Sequence, residues 1–162
     1  MKKTTFSAEE TIEFAIQIGR LLKKGDIIAY TGGLGAGKTT FTRGLAIGMG
    51  LEDNVVSPTF SLVNEYRGEK CSLYHFDMYR IMSADDLETT GFYDYPIEES
   101  IFAIEWSENI SDELPENTIF IDIERVDENI RNINIKGDER FADAGNCGIM
   151  YCCCFPNHYF AN

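Results

Sequence analysis

The sequence predicts an α/β domain in which a central sheet of mixed strand direction is flanked by helices. Residues 32–39 spell G-x-x-x-x-G-K-T between an apolar run of strand length and a helical pattern, which is typical of a strand–loop–helix unit. Two strand-like runs separated by Gly68, Glu69 and Lys70 indicate an antiparallel hairpin. Residues 118–126 and 132–136 alternate in polarity and indicate further strands.

The first half of the chain predicts two helices around one strand. Ser7 and Glu10 form a capping box, so the first helix should begin there and run to about residue 24, before Gly25. Its apolar stripe consists of Ile12, Ala15, Ile16 and Leu22. A strand over residues 26–31 leads into the G-x-x-x-x-G-K-T loop. The second helix should extend to residue 50, with one face formed by Phe41, Leu45 and Met49.

The second half predicts a hairpin, a short helix and three later strands. A loop reaches Pro58, and the hairpin strands cover residues 60–67 and 71–78. A short helix begins near Ser83 and stops at Gly91, and a buried strand follows at 101–104. Without a repeat or linker, we expect one domain over residues 1–143, with an atypical Cys-rich tail over 144–162 outside the core.

The charge balance restricts the partners of the chain. It has 27 acidic and 14 basic residues, a formal charge of −13, which disfavours direct contact with nucleic acid. Eleven acids and a single base, Arg125, lie between Glu98 and Glu128. That segment is either a solvated face or a surface that attracts a basic partner protein.

The remaining composition predicts a cytoplasmic protein that does not contact a membrane. No apolar stretch approaches the roughly 20 residues of a membrane span, and no apolar segment follows the charged N-terminal residues. Four of the five cysteines fall in the last sixteen residues, together with His158. Three of these four cysteines are adjacent and lack the C-x-x-C spacing of zinc sites. We expect an adventitious tail there, with a metal site as the weaker alternative.

The loop at residues 32–39 predicts a nucleotide site with a defined mechanism. Glycines allow backbone N–H groups to turn inward around a polyphosphate, and the following helix directs its positive dipole end at the same anion. Lys38 is expected to reach the β- and γ-phosphates, and the Thr39 hydroxyl to bind Mg²⁺. The sequence thus predicts a P-loop NTPase.

A P-loop enzyme also needs a carboxylate near its metal ion, and two candidates end apolar strands. Asp77 follows residues 73–76, and Glu105 follows the more apolar residues 101–104, which makes Glu105 the better match to a buried central strand. Either residue alone could instead be a surface acid.

Four further residues have both a functional and a structural interpretation. Thr59, after Pro58, lies where GTPases place a switch threonine, but a plain turn explains it as well. Trp106 could cover a purine or pack in the core, and His75 is more readily structural than catalytic. Arg80 could stabilise transition-state charge or pair with a nearby acid. Since no N-K-x-D guanine motif occurs, ATP is favoured over GTP.

Taken in order, these segments resemble the bacterial TsaE (YjeE) family, the ATPases of tRNA threonylcarbamoyladenosine synthesis. The resemblance covers residues 4–142 and rests on GGLGAGKTT at 32–40, SPTF at 57–60, HFDMYR at 75–80 and IEW at 104–106. Ser7 with Thr11, and Leu87 with Gly91, also match. Gly33 departs from the acidic residue usual there, and residues 144–162 match nothing expected of the family.

The resemblance implies a role for each matching residue. Thr39 and Glu105 would hold Mg²⁺, while Lys38, Asp77 and Thr59 would take part in hydrolysis. ATP would be bound by a larger set that comprises Gly32, Gly35, Ala36, Gly37, Lys38, Thr39, Thr40, Thr11, Trp106 and Arg131. The implied partners are TsaD and TsaB, with tRNA reached only through that complex. ATP binding would favour the complex, and hydrolysis would reset it.

Two other classes of function compete with this hypothesis. A small-molecule kinase on the same fold usually has an arginine-rich lid, whereas the seven arginines of this chain are scattered singly. A nucleotide-gated binding protein, in which turnover is incidental, is the other alternative.

Overall fold

The computed structural model describes residues 1–142 and 144, which form one sheet with helices on both faces. Its strands, in chain order, are β1 (Lys2–Thr5), β2 (Ile27–Thr31), β3 (Val63–Tyr66), β4 (Ser72–Asp77), β5 (Ser100–Glu105), β6 (Ile119–Arg125) and β7 (Arg131–Lys136). The α-helices are α1 (Ala8–Gly19), α2 (Lys38–Gly48) and α3 (Ala84–Thr89). Short 3₁₀ segments span Phe92–Asp94, Ile97–Glu99, Ser107–Glu113 and Glu139–Phe141.

The sheet has the strand order β1-β7-β6-β2-β5-β4-β3. The four central strands β6, β2, β5 and β4 are parallel, whereas β1–β7, β6–β7 and β3–β4 are antiparallel pairs. This arrangement confirms the mixed sheet and the predicted hairpin. Because the central strands are parallel, their carboxyl ends meet at one edge, the usual place for a ligand in such folds.

Alternating side chains of the central strands fill two cores. In β5, Ile101 and Ala103 pack with α1 and α2, while Phe102 and Ile104 pack on the opposite face. The second core is rich in aromatic edge-to-face contacts, which join Tyr74, Phe76, Phe92 and Phe102. The strands that end in the candidate carboxylates, β4 and β5, are therefore packed on both faces.

Helix α1 ends earlier than the sequence predicts, at Gly19 rather than near residue 24. Gly19 lies directly against α2, because a Cβ there would be 2.4 Å from the carbonyl oxygen of Leu45. The chain then turns, and the Asp26 carboxylate accepts the N–H of Lys23 at 2.7 Å. The apolar core-facing residues of α1 are Phe14, Ala15 and Ile18, so Ala15 of the predicted stripe is confirmed, whereas Ile12 and Ile16 are only partly buried.

The N-terminal strand β1 is absent from the sequence prediction. Its residues are polar and only Thr5 is buried, so no apolar alternation marks it as a strand. Residues 60–62, predicted to begin the hairpin, form a turn instead, with Leu62 at a φ of 69°.

The remaining comparisons with the sequence predictions concern the Cys-rich tail and membrane-spanning helices. The tail cysteines Cys147, Cys152, Cys153 and Cys154, with His158, lie outside the described residues. Ala144, the first residue of the predicted tail, is described and packs, partly buried, against the first core. Within the described residues, no helix has both the length and the apolar character needed to cross a bilayer.

Candidate nucleotide site

The loop between β2 and α2 has the backbone of an anion-binding loop. Gly32, Gly35 and Gly37 have φ values of 131°, 72° and 109°, a region that only glycine adopts at low cost. Helix α2 begins at Lys38 without a side-chain cap. Since the first amides of a helix have no intrahelical acceptor, those of Thr39 and Thr40 remain available to an anion.

Lys38 occupies the centre of this loop and is 4% exposed. Its ammonium donates to the carbonyl oxygens of Gly32 at 2.7 Å and Gly33 at 3.1 Å. The Trp106 ring lies over the same ammonium, 4.1 Å from Nζ to the ring centroid. Burial lowers the pKa of Lys38, and nearby carboxylates, foremost Glu105, only partly offset this effect.

The two candidate carboxylates meet at the edge of the sheet beside this loop. Asp77 and Glu105 are direct register partners at the ends of parallel strands β4 and β5, and each is 5% exposed. The Thr39 hydroxyl donates to Oε1 of Glu105 at 2.7 Å. The structure thus brings together Lys38, Thr39, Asp77 and Glu105, and neither carboxylate is a surface acid.

Glu105 is held by a second donor from within the sheet. Nε2 of His75, a fully buried residue of β4, lies 2.9 Å from Oε1 of Glu105. Burial acts to raise the pKa of Glu105, but hydrogen bonds from His75 and Thr39 and the charge of Lys38 outweigh it, so the pKa lies below its ordinary value. Glu105 is therefore an anion at neutral pH, facing the loop.

Asp77 is held by a different set of donors. The Thr59 hydroxyl donates to its Oδ2 at 2.8 Å, and the backbone N–H of Tyr79 donates to Oδ1 at 2.9 Å. Thr59 itself is exposed and also hydrogen-bonded to Ser57. The structure therefore places Thr59 at the carboxylate of Asp77, where a plain surface turn would not put it.

Backbone strain is concentrated beside these two carboxylates. Among the described residues, the non-glycine residues with positive φ are Leu62, at 69°, and Trp106, at 58°. Leu62 accepts the backbone N–H of Asp77 at 2.9 Å, and Trp106 directly follows Glu105. Such conformations cost about 1–3 kcal/mol each and persist where the surrounding structure imposes them, as at functional sites.

Thr11, Thr40 and Arg131 line one small pocket beside Gly37, together with Ser7, Ala8, Glu128 and Asn129. The Thr11 hydroxyl is already engaged, with the Ser7 carbonyl at 3.0 Å and the Thr5 hydroxyl at 2.7 Å. Trp106 does not line this pocket but covers Lys38 instead.

Arg131 binds the loop itself, a role that the sequence does not indicate. Its guanidinium donates to the carbonyl of Ala36 at 2.7 Å and more weakly to that of Gly35 at 3.4 Å. The same group donates to carbonyls of the β6–β7 turn, at Asp127, Glu128 and Ile130. It therefore ties that turn to the back of the phosphate loop.

Two hydrogen bonds that support the site are not predicted by any pattern in the sequence. The Ser107 hydroxyl donates to the carbonyl of Tyr30 at 2.9 Å, and the Asn109 amide donates to that of Met78 at 2.8 Å. These contacts join the segment after Glu105 to the ends of β2 and β4. Arg80, by contrast, is exposed and forms no ion pair with Asp77 or Glu88 in the described structure.

The site offers oxygen ligands rather than a closed metal cage. Within residues 1–142 and 144, no group of three or more His, Cys, Asp and Glu side chains could hold a metal ion. The hydroxyl of Thr39 and the carboxylates of Glu105 and Asp77 are the hard oxygen donors that Mg²⁺ prefers, and Mg²⁺ commonly takes its other ligands from water and phosphate.

Comparisons with known proteins agree with this geometry. A family model described as "Threonylcarbamoyl adenosine biosynthesis protein TsaE" matches residues 5–133. Proteins named tRNA threonylcarbamoyladenosine biosynthesis protein TsaE are similar along most of the chain. The Treponema pallidum protein is 36% identical over 135 residues, 83% of this chain and 99% of its own. The Haemophilus influenzae protein is 44% identical over 113 residues, covering 70% of this chain and 71% of its own.

A solved structure shares the fold. The crystal structure of Bacillus subtilis YdiB superposes with a TM-score of 0.68 at 30% identity, covering 90% of this chain and 91% of that one. The chain therefore has a P-loop NTPase fold, as the sequence predicts.

Proposed function

This chain belongs to the TsaE family, and on that premise we propose that it is the ATP-binding and ATP-hydrolysing component of the machinery that forms threonylcarbamoyladenosine beside the anticodon of tRNAs. The observation that carries the proposal is the convergence of Lys38, Thr39, Asp77 and Glu105 at the carboxyl edge of the parallel strands.

The phosphate loop would bind the polyphosphate of ATP. The backbone amides around Gly35 and Gly37 and the first turn of α2 supply neutral donors, and Lys38 supplies the positive charge. An ammonium has three donors, of which two are used by loop carbonyls, so one remains for a phosphate oxygen. The adenosine would lie toward the pocket of Thr11, Thr40 and Arg131.

Thr39 and Glu105 would hold Mg²⁺, since their oxygens are 2.7 Å apart and face the loop. When bound, the ion supplies positive charge at the phosphate oxygens. The Thr39 hydroxyl has two lone pairs besides its O–H, so it could bind the ion through a lone pair and still donate to Glu105.

Asp77 would orient the attacking water and accept its proton at a carboxylate oxygen. Each oxygen of a carboxylate has two lone pairs, so the bonds from Thr59 and Tyr79 fix the group and still leave acceptor capacity. Thr59 links this carboxylate to residues 57–62, so that segment would respond to the presence of the terminal phosphate.

The proposed partners are TsaD and TsaB, with tRNA reached only through their complex. ATP binding would favour the complex and hydrolysis would reset it for further turnovers, with a slow rate for the chain alone. The acidic segment between Glu98 and Glu128 is the proposed candidate for the contact surface, because basic partners are attracted to it.

Reconstitution with purified TsaB, TsaD, tRNA, threonine, bicarbonate and ATP, with any enzyme that makes the threonylcarbamoyl donor, tests the proposal. We expect Lys38→Ala, Asp77→Ala and Glu105→Ala each to lower multiple-turnover tRNA modification by at least about 100-fold, because each removes preorganised charge from the site. Glu69→Ala, which removes an exposed acid from the connection between β3 and β4, outside the acidic segment, is the matched control and should be normal.

The alternatives give different results in the same assay. Phosphate transferred to an added metabolite would indicate a kinase, and full activity with a non-hydrolysable ATP analogue would indicate nucleotide gating alone. Normal modification by folded Lys38→Ala would overturn the proposal.

A further inference from the structure

Among the described residues, two side chains donate to the Glu105 carboxylate, Thr39 and His75, and of these only His75 lies in the sheet. His75 is fully buried in β4, two residues before Asp77, and its Nε2 lies 2.9 Å from Oε1 of Glu105. Its Nδ1 has no hydrogen-bond partner among the described residues. An ionised carboxylate can only accept a hydrogen bond, so the hydrogen between His75 and Glu105 must be carried by Nε2 of His75.

The Thr39 hydroxyl and the His75 imidazole are not equivalent supports for Glu105. Both donate to the same oxygen, Oε1. On the proposed function, the Thr39 oxygen would itself be a metal ligand, so the position of its hydroxyl would depend on the ion, whereas His75 is buried in β4 and held by the sheet in either case. His75 is therefore the donor that orients the Glu105 carboxylate independently of the metal ion.

We propose that His75 is a positioning residue for the metal site, which holds the Glu105 carboxylate in the orientation that binds Mg²⁺ with ATP. The inference rests on the proposed function. It gives a reason for a buried histidine with an unpartnered nitrogen: a leucine would fill the same space at no polar cost but would leave Glu105 with Thr39 as its sole side-chain donor. Partners that orient a metal ligand commonly contribute 10- to 100-fold, at order of magnitude, to metal affinity.

Three substitutions separate positioning from packing. In His75→Gln the amide nitrogen lies about as far from Cβ as Nε2 of histidine, so the hydrogen bond can be restored. His75→Asn is too short to reach Glu105, and His75→Leu has no donor. The measured quantity is the Mn²⁺ concentration that half-saturates the site, called here the Mn²⁺ midpoint. It is determined by electron paramagnetic resonance with a non-hydrolysable ATP analogue present. Analogue binding in EDTA and the urea midpoint of unfolding are measured alongside.

We expect His75→Leu and His75→Asn to raise the Mn²⁺ midpoint by about 10-fold or more, with analogue binding in EDTA unchanged, and His75→Gln to restore most of the affinity. In a Glu105→Ala background, His75→Leu should have no further effect. Equal Mn²⁺ midpoints for wild type and His75→Leu, or an additive effect in that background, would overturn the inference. If His75→Leu does not fold, His75→Asn decides in the same way. Normal analogue binding by Lys38→Ala would instead count against the proposed function.

Discussion

At the scale of single residues, hydrogen bonds from side chains to backbone carbonyls hold parts of the site together. Arg131 illustrates this, because its guanidinium donates to carbonyls on both sides, the phosphate loop and the β6–β7 turn. A guanidinium is a rigid planar fork, so one side chain fixes the distance between the two segments. The loop is thereby held open for phosphate before any ligand arrives, which reduces the ordering cost of binding.

We expect Arg131→Lys to bind a fluorescent ATP analogue roughly 10-fold more weakly. A lysine keeps the charge, but its single nitrogen lacks the span of the guanidinium, which uses Nε toward the loop and Nη1 toward the turn. One lost charge-assisted hydrogen bond, about 1.5 kcal/mol, corresponds to that factor. The measurement is an equilibrium titration in EDTA. Arg67→Lys, an exposed arginine paired with Glu65, is the matched control. Equal affinities for the two variants would show that Arg131 does not organise the loop.

At the scale of elements, the sequence patterns predicted those helices and strands whose formation depends on residues close together in the chain. The motif at residues 32–39 and the helical face of Phe41 and Leu45 were sufficient to predict β2, the loop and α2, and these predictions are confirmed. The end of α1 is set by the contact of Gly19 with Leu45, which no local pattern contains. Strand β1 is polar and depends on pairing with β7.

The same distinction applies to the candidate site. Asp77 and Glu105 were found because each ends an apolar run, but their pairing is a matter of sheet register between strands far apart in sequence. The bond from His75 to Glu105 follows from that register. The bond from Arg131 to Ala36 follows from the way β7 returns beside the loop. Sequence patterns therefore identified the carboxylates but not the residues that orient them.

The α1–α2 contact gives a prediction about stability. A Cβ at Gly44 would lie 2.5 Å from that of Ala15 and 2.6 Å from the carbonyl oxygen of Ile12. Alanine is ordinarily favoured over glycine in a helix by about 1 kcal/mol, but overpacking a close contact costs about 1–3 kcal/mol. We expect Gly44→Ala to lower the free energy of unfolding in urea by up to about 2 kcal/mol, the difference between these opposing effects.

The control for this substitution is Gly33→Ala, because a Cβ at Gly33 meets no atom within 4 Å and its φ is not positive. That variant should unfold at nearly the wild-type urea concentration. A Gly44→Ala protein more stable than wild type would contradict the close approach of the two helices.

At the scale of the whole molecule, the charge balance bears on whether this chain can contact tRNA directly. A formal charge of −13 repels a polyanion, and affinity for nucleic acid comes largely from phosphate neutralisation by basic side chains. Several of the basic side chains are already paired with acids, among them Arg43 with Asp53 and Arg140 with Asp26. Lys38 is buried in the phosphate loop. The acidic excess therefore favours access to tRNA through the proposed partner proteins over direct contact.

We expect the purified chain alone to show no saturable binding of tRNA up to about 100 µM at roughly 150 mM salt, the regime of non-specific contacts. In the presence of TsaB, TsaD and ATP it should enter a complex that contains tRNA. Fluorescence anisotropy of labelled tRNA measures both. A repeat at about 20 mM salt is the control, since any weak electrostatic contact would strengthen there. Tight, salt-dependent binding of tRNA by the chain alone would mean that its basic residues form a binding surface despite the negative net charge. TsaD and TsaB would then not be its sole route to tRNA.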